Sequence, residues 1–247
     1  MPAIPAWPPQ STPRLFVEDR LADGAIVRLD GGPAHYLLNV LRVKPGAPVK
    51  LCDNQTGEWL AEVADTAKRD VTLRVTALLR PREAVPDLWL LAAPVKKSRL
   101  DIVVEKACEL GVALYQPVLT RRTIVERMNM DRLRAQMVEA AEQCGRTALP
   151  EIAEAVKLAQ LLKDWPVERT LYFADEEGGV PLASVAKPGP AALLVGPEGG
   201  FDADERAAIK ALPQAMGVSL GPRILRAETA AIAGLSIWMA VAGDWAA

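Results

Sequence analysis

The sequence is poor in the residues that build metal and disulfide sites: 247 residues hold three cysteines and one histidine. Cys52, Cys108 and Cys144 are odd in number, widely spaced and without a CxxC pair. That excludes a disulfide framework and a zinc cage, and leaves free buried thiols in a reducing compartment. His35 alone cannot complete a metal site with cysteines so scattered, so no metal is expected. Long apolar runs are also missing. The longest, Ala230–Gly243, falls short of the roughly 20 residues that span a bilayer. Residues 1–13 carry five prolines and no cationic-then-apolar pattern. They read as a flexible arm rather than a signal peptide, and a cytoplasmic protein is expected. Neither a GxGxxG fingerprint nor a Gly-Lys-Ser/Thr phosphate loop is present, which argues against nicotinamide and triphosphate chemistry. Nor is there an excess of positive charge. The formal net charge is −2, so affinity for a polyanion has to rest on local clusters.

What is present is an ordinary globular composition, 50% hydrophobic and 24% charged, on a length that favours two domains. Residues 14–80 read as a small β-barrel. Val49–Asp53, Trp59–Val63 and Asp70–Leu79 alternate in the strand manner, with Gly57 in a turn. A helix over Pro33–Leu41 places Tyr36, Leu37, Val40 and Leu41 on one face, and Lys44-Pro45-Gly46 ends it. Residues 81–87, with prolines and mixed charge, read as a linker.

From residue 88 the pattern changes to strands alternating with helices. Strands are expected at Leu88–Pro94, Leu114–Leu119, Thr170–Ala174, Ala191–Val195 and Val218–Leu220. Helices are expected at Arg99–Leu110, Met130–Gln143, Leu158–Trp165, Asp202–Leu212 and Glu228–Val241, with Asp202 and Glu205 at capping-box spacing. The fold class is α/β, a largely parallel sheet covered by helices on both faces.

Two loops at the carboxyl ends of expected strands stand out, because open α/β sheets place their ligands there. In Leu193-Leu194-Val195-Gly196-Pro197-Glu198-Gly199-Gly200-Phe201 a buried strand runs into glycines that let main chain approach a ligand. A nucleoside suits it better than a triphosphate, and a tight turn without a ligand remains open. In Leu220-Gly221-Pro222-Arg223-Ile224-Leu225-Arg226-Ala227-Glu228-Thr229-Ala230 two arginines and a glutamate separate a strand from an apolar helix. Glu228 and Thr229 are also candidate helix caps, and a structural ion pair is open for the arginines.

Together these loops resemble the methyltransferase superfamily whose cofactor site lies in a C-terminal trefoil knot, the SPOUT class. Within it the chain is similar to the ribosomal RNA small subunit methyltransferase E family. Arg99-Leu100-Asp101-Ile102-Val103-Val104-Glu105-Lys106-Ala107-Cys108-Glu109-Leu110-Gly111-Val112 and Glu139-Ala140-Ala141-Glu142-Gln143-Cys144-Gly145-Arg146 resemble further signatures of that family. His35-Tyr36-Leu37-Leu38-Asn39-Val40-Leu41-Arg42 resembles the helix of its PUA-like RNA-binding domain. The resemblance covers nearly the whole chain from Arg14; the proline-rich arm and the acidic pI depart from it. It implies a C-terminal trefoil-knotted domain over 88–247, a homodimer, S-adenosyl-L-methionine as methyl donor, and N3 of uracil 1498 in 16S rRNA as acceptor. The knot goes beyond what periodicity can give, since chains rarely thread themselves. The apolar helix around Ile232, Leu235, Trp238 and Met239 must be buried, in a core or against a partner.

The donor is then expected against Ala174, Gly196, Glu198, Gly199, Gly200, Leu220, Gly221, Ile224, Leu225, Arg226, Thr229 and Ala230. Uracil N3 must lose a proton before it attacks. Arg226 first and Arg223 second are candidates to stabilise the developing charge, and Glu142 or Glu228 to accept the proton. RNA contacts are expected from Arg14, Arg20, Arg28, Arg42 and Lys44 in the first domain. Lys96, Lys97, Arg99, Arg121 and Arg122, at the ends of two strands of one sheet, are expected to join them. His35 is assigned to structure or RNA contact, and Trp59, Trp89, Trp165 and Trp238 to the core. A ribose 2′-O-methyltransferase on the same scaffold and a non-catalytic RNA-binding protein are the competing readings.

Overall fold

The computed structural model describes residues 12–125 and 128–246, and nothing of the Lys97 side chain. The proline-rich arm expected over residues 1–13 lies outside the described residues apart from Thr12 and Pro13. The chain separates into two compact units. One runs to Ala84 and includes Ala141–Ala148; the other comprises Val85–Ala140 and the chain from Leu149.

In the first unit β1 (Arg14–Phe16), β2 (Ile26–Leu29), β3 (Pro48–Cys52), β4 (Gly57–Thr66) and β5 (Val71–Pro81) form one sheet in the order β1-β3-β4-β5-β2. Only β1 and β3 pair in parallel. The edge strands β1 and β2 do not pair with each other, so hydrogen bonds do not close the expected barrel. Alternation buries Val71, Leu73 and Val75 with Val49, Leu51, Ala61 and Val63, as period-two patterning requires. The β3–β4 turn is organised by Asp53. Its carboxylate accepts the main-chain N–H of Gln55 at 2.9 Å and of Thr56 at 2.7 Å, and that of Leu21 at 2.8 Å. Burial opposes ionisation there, but bonds from Thr56, Leu21 and Gln55 outweigh it and hold the carboxyl at about 2.

The helix of this unit corrects the expected face. It is α-helical over α1 (Gly31–His35) and π-helical over Tyr36–Val40, with the Leu41 amide bonded to the Tyr36 carbonyl. The wider turn changes the phase of the side chains. Ala34 and Leu37 are buried, whereas Tyr36, Val40 and Leu41 are exposed.

The second unit is α/β. In chain order it contains β6 (Leu88–Ala92), α2 (Lys97–Glu109), β7 (Leu114–Leu119), α3 (Met130–Cys144, whose last residues group with the first unit), β8 (Glu151–Ile152), β9 (Val156–Lys157) and α4 (Leu158–Lys163). There follow β10 (Thr170–Ala174), β11 (Val180–Pro181), α5 (Leu182–Val185), β12 (Ala191–Val195), α6 (Ala203–Ala211), β13 (Ala215–Ser219) and α7 (Ala227–Ala242). The sheet order is β11-β13-β10-β12-β6-β7-β8, with β9 beside β7, and every pairing is parallel. All five residues of β12 are buried, as expected of a strand covered on both faces. At the amino ends of the strands, the Arg169 guanidinium lies 3.6 Å from the Trp89 ring centre and pairs with Asp87 at 2.8 Å. Of the cysteines, Cys52 and Cys108 are buried as expected, but Cys144 is exposed.

The last helix explains the topology. From β13 the chain turns back, and α7 packs against β12, β6, α2 and α5. This doubling-back is the path a trefoil-knotted sheet requires. Leu235, Trp238 and Met239 are buried within the chain itself. Gly234 makes the approach possible: a Cβ there would lie 2.5 Å from Leu193 Cδ2 on β12.

Candidate functional site

Because β13, β10 and β12 are adjacent and parallel, the chain leaves their carboxyl ends in three neighbouring loops. These are residues 175–179, 196–202 and 220–226. They enclose a cleft of about 210 Å³, closed from below by Ala227 and Ala230 of α7. Gly200 is the tightest point of the middle loop. Its φ is +68°, and a Cβ would lie 2.1 Å from Glu176 Oε1 of the first loop. The left-handed backbone favours glycine, and any Cβ would have to displace the exposed Glu176 carboxylate. Phe201 supports the same loop from beneath, its ring 3.1 Å from where a Gly196 Cβ would be.

Helix α6 fixes the far side of the middle loop with the expected capping box. Asp202 accepts the Glu205 amide at 2.8 Å, and Glu205 accepts the Asp202 amide. That amide bond leads the forces holding the Asp202 carboxyl below its usual range. The wall carries buried charge as well. Asp175, with 1% of its side chain exposed, pairs with Arg206 and with Lys210 at 3.4 Å; Arg206 also reaches Glu177 at 2.8 Å.

The lining of this cleft includes Ala174, Gly196, Glu198 and Gly200 of the residues assigned to the donor. It also includes Leu220, Gly221, Ile224, Leu225 and Ala230, together with Arg223. Gly199, Arg226 and Thr229 do not line it. Gly199 gives its carbonyl to Arg122. Arg226 is the N-cap of α7, exposed and without a side-chain cap bond. The expected capping by Glu228 and Thr229 is therefore corrected: both lie inside the helix. Among the described residues no side chain caps α7, and its first turn borders the cleft through Ala227 and Ala230.

The two proposed bases have other partners. Glu142 belongs to the first unit and accepts the Phe16 amide at 2.9 Å. Glu228 faces Arg99 Nε at 3.5 Å. Several cations assigned to RNA are likewise engaged. Arg14 is buried against Glu58 at 2.6 Å and bonds the Ala141 and Arg146 carbonyls, so its charge is spent on packing. Arg121 bridges Asp202 and Asp204 at 2.8 and 2.7 Å. Arg28 pairs with Asp70 at 2.7 Å while remaining exposed. Arg20, Arg42, Lys44 and Lys96 are exposed, and no ion pair engages them among the described residues. His35 is exposed and lies 3.0 Å from Asn39.

The sequence reading missed the first loop, with Asp175, Glu176 and Gly178, and the Arg206 wall. A signal existed. Asp175-Glu176-Glu177-Gly178-Gly179 follows the expected strand Thr170–Ala174, the position that singled out the other two loops. Chemically, the cleft offers glycine-exposed main chain, the apolar Leu220, Ile224 and Phe201, a carboxylate and a helix amino end. That set suits a nucleoside joined to a small charged group. Among the described residues no cluster of three metal-ligating side chains occurs.

Comparison with known proteins gives the class first. Residues 81–239 match the RNA methyltransferase domain family and residues 29–76 match the RNA methyltransferase PUA domain. Within this class the chain belongs to the ribosomal RNA small subunit methyltransferase E family. The Rickettsia conorii protein of that name is 30% identical over 227 residues, which cover 90% of this chain and 93% of the relative. A Neisseria gonorrhoeae protein of the same name, solved bound to S-adenosyl methionine, is 27% identical with a TM-score of 0.86, over 94% of this chain and 98% of that one. A Legionella pneumophila methyltransferase, solved with the same cofactor, is 30% identical with a TM-score of 0.86, over 94% and 99%.

Proposed function

We propose that this chain methylates N3 of a uracil in small-subunit ribosomal RNA, at position 1498 of 16S rRNA, with S-adenosyl-L-methionine as donor. One observation carries the reading: three loops converge on a single cleft, and Gly200 leaves the main chain bare at its tightest point. Family membership and the cofactor bound by the Neisseria and Legionella relatives support it.

The donor fits the residues present. Main chain around Gly196, Gly200, Leu220 and Leu225 would hold the adenosine and the amino-acid end, with the uncapped start of α7 facing charge. When bound, the sulfonium supplies an electrophilic methyl group. The protein's own contribution is then chiefly to orient two reactants, which can supply about 7–11 kcal/mol of barrier reduction. Arg223, exposed at the cleft rim, stabilises negative charge on the uracil oxygens as N3 loses its proton, with Arg226 behind it. Glu142 and Glu228 both have structural partners, which favours solvent as the proton's destination. Little loss of turnover in a Glu142→Gln, Glu228→Gln double variant, measured at saturating donor, is the expected result.

The active form is a cytoplasmic homodimer. No helix of the described residues is long and apolar enough to cross a membrane, and the exposed Val241 and Trp245 near the end of α7 supply apolar surface for a second copy.

The test is methylation of small ribosomal subunits that lack the modification, followed by nucleoside mass spectrometry and mapping. N3-methyluridine at one position is expected. A ribose-methylated product would overturn the acceptor assignment, and absence of donor binding by calorimetry would overturn the enzymatic one.

A further inference from the structure

Arg99 sits in the first turn of α2, where the helix dipole disfavours a cation and where the sequence supplies no acidic residue. Yet its guanidinium points to two carboxylates on different segments. Nη1 lies 3.1 Å from Glu198 Oε1, in the middle loop of the cleft. Nε lies 3.5 Å from Glu228 Oε1, in the first turn of α7, between the cleft-lining Ala227 and Ala230. Helix α2 itself packs along α7, so the cation projects from an anchored element. Glu228 is largely buried, and its second oxygen has no hydrogen-bond partner among the described residues. Arg99 is the cation that compensates it.

We propose that Arg99 is a positioning residue for the donor rather than a contact for RNA phosphate. It ties the Gly196–Gly200 loop to the start of α7 and so fixes the spacing of two cleft walls. The inference rests on the donor-binding reading of the cleft. The half-exposed Arg99–Glu198 pair contributes little to global stability, so its effect belongs to local geometry. Without Arg99, Glu198 and Glu228 face each other as like charges and the buried Glu228 is left uncompensated, which moves the loop.

Calorimetry with S-adenosyl-L-methionine and RNA binding over a salt series separate the possibilities. Arg99→Ala is expected to weaken donor affinity about tenfold, and Arg99→Lys to restore part of it. Adding Glu228→Gln to Arg99→Ala should not restore full affinity, because the tie between loop and helix stays broken although the stranded charge is gone. The slope of log affinity for RNA against log salt should stay as in the unmodified protein. Glu228→Gln, at a side chain that does not line the cleft, keeps the test open should Arg99→Ala fold poorly; by removing one anchor of the tie it should weaken the donor in the same direction. Unchanged donor affinity in these variants, or a salt slope reduced by about one in Arg99→Ala, overturns the proposal. If the unmodified protein binds no donor, the functional reading falls and this inference with it.

Discussion

Gly200 shows how much chemistry one missing side chain can decide. Its positive φ strains residues that carry a Cβ, and a Cβ there would also have to displace the exposed Glu176 carboxylate. A methyl group there must push Glu176 away or flatten the turn. Gly200→Ala is therefore expected to reduce donor affinity at least tenfold while leaving the fold intact, as read by calorimetry beside circular dichroism. Gly196→Ala, whose methyl would meet only the Phe201 ring at 3.1 Å, should cost less. Cations show the converse lesson. Arg14, Arg99, Arg121 and Arg122 look alike in sequence, and each is engaged by carboxylates or carbonyls of its own unit. Pairing across 44 to 132 residues of sequence leaves no local signal, so their roles were not legible beforehand.

At the scale of elements the sequence was more informative. The strands Leu114–Leu119, Thr170–Ala174 and Ala191–Val195 form with the expected bounds, because continuous apolar runs between turn residues have few alternatives. The Asp202 capping box forms as its spacing predicts. What failed was phase and brevity. The π turn at Tyr36–Val40 exposes three apolar residues that ideal α spacing would bury, and two-residue strands such as β8 and β11 are too short for any period. Helix α7 was legible as apolar, but not where it docks. Its seat on β12 depends on Gly234, so Gly234→Ala should overpack Leu193 and destabilise the protein by about 1–3 kcal/mol. Urea unfolding would measure this, and an unchanged midpoint would contradict the close seat of the helix.

At the scale of the whole molecule, an acidic protein must bind RNA through local sets of exposed cations. Among the described residues of the first unit, Arg20, Arg42, Lys44, Lys68, Arg69 and Arg74 are exposed and outside the ion pairs, and of these Arg20, Arg42 and Lys44 are the ones expected to meet phosphate. Replacing all three with alanine should reduce the salt slope of RNA binding by about 2–3. Arg121→Ala should leave the slope nearly unchanged, since Asp202 and Asp204 already neutralise that charge. Equal effects from both variants would show that pairing does not decide availability. The doubling-back of α7 adds a constraint in time. Translation delivers β6 through β13 before Ala227 emerges, so a nascent chain has the loops but neither the floor beneath them nor Glu228, the second carboxylate that Arg99 grips. On the donor-binding reading of the cleft, competence is thus gained in one late step, when α7 docks against its sheet.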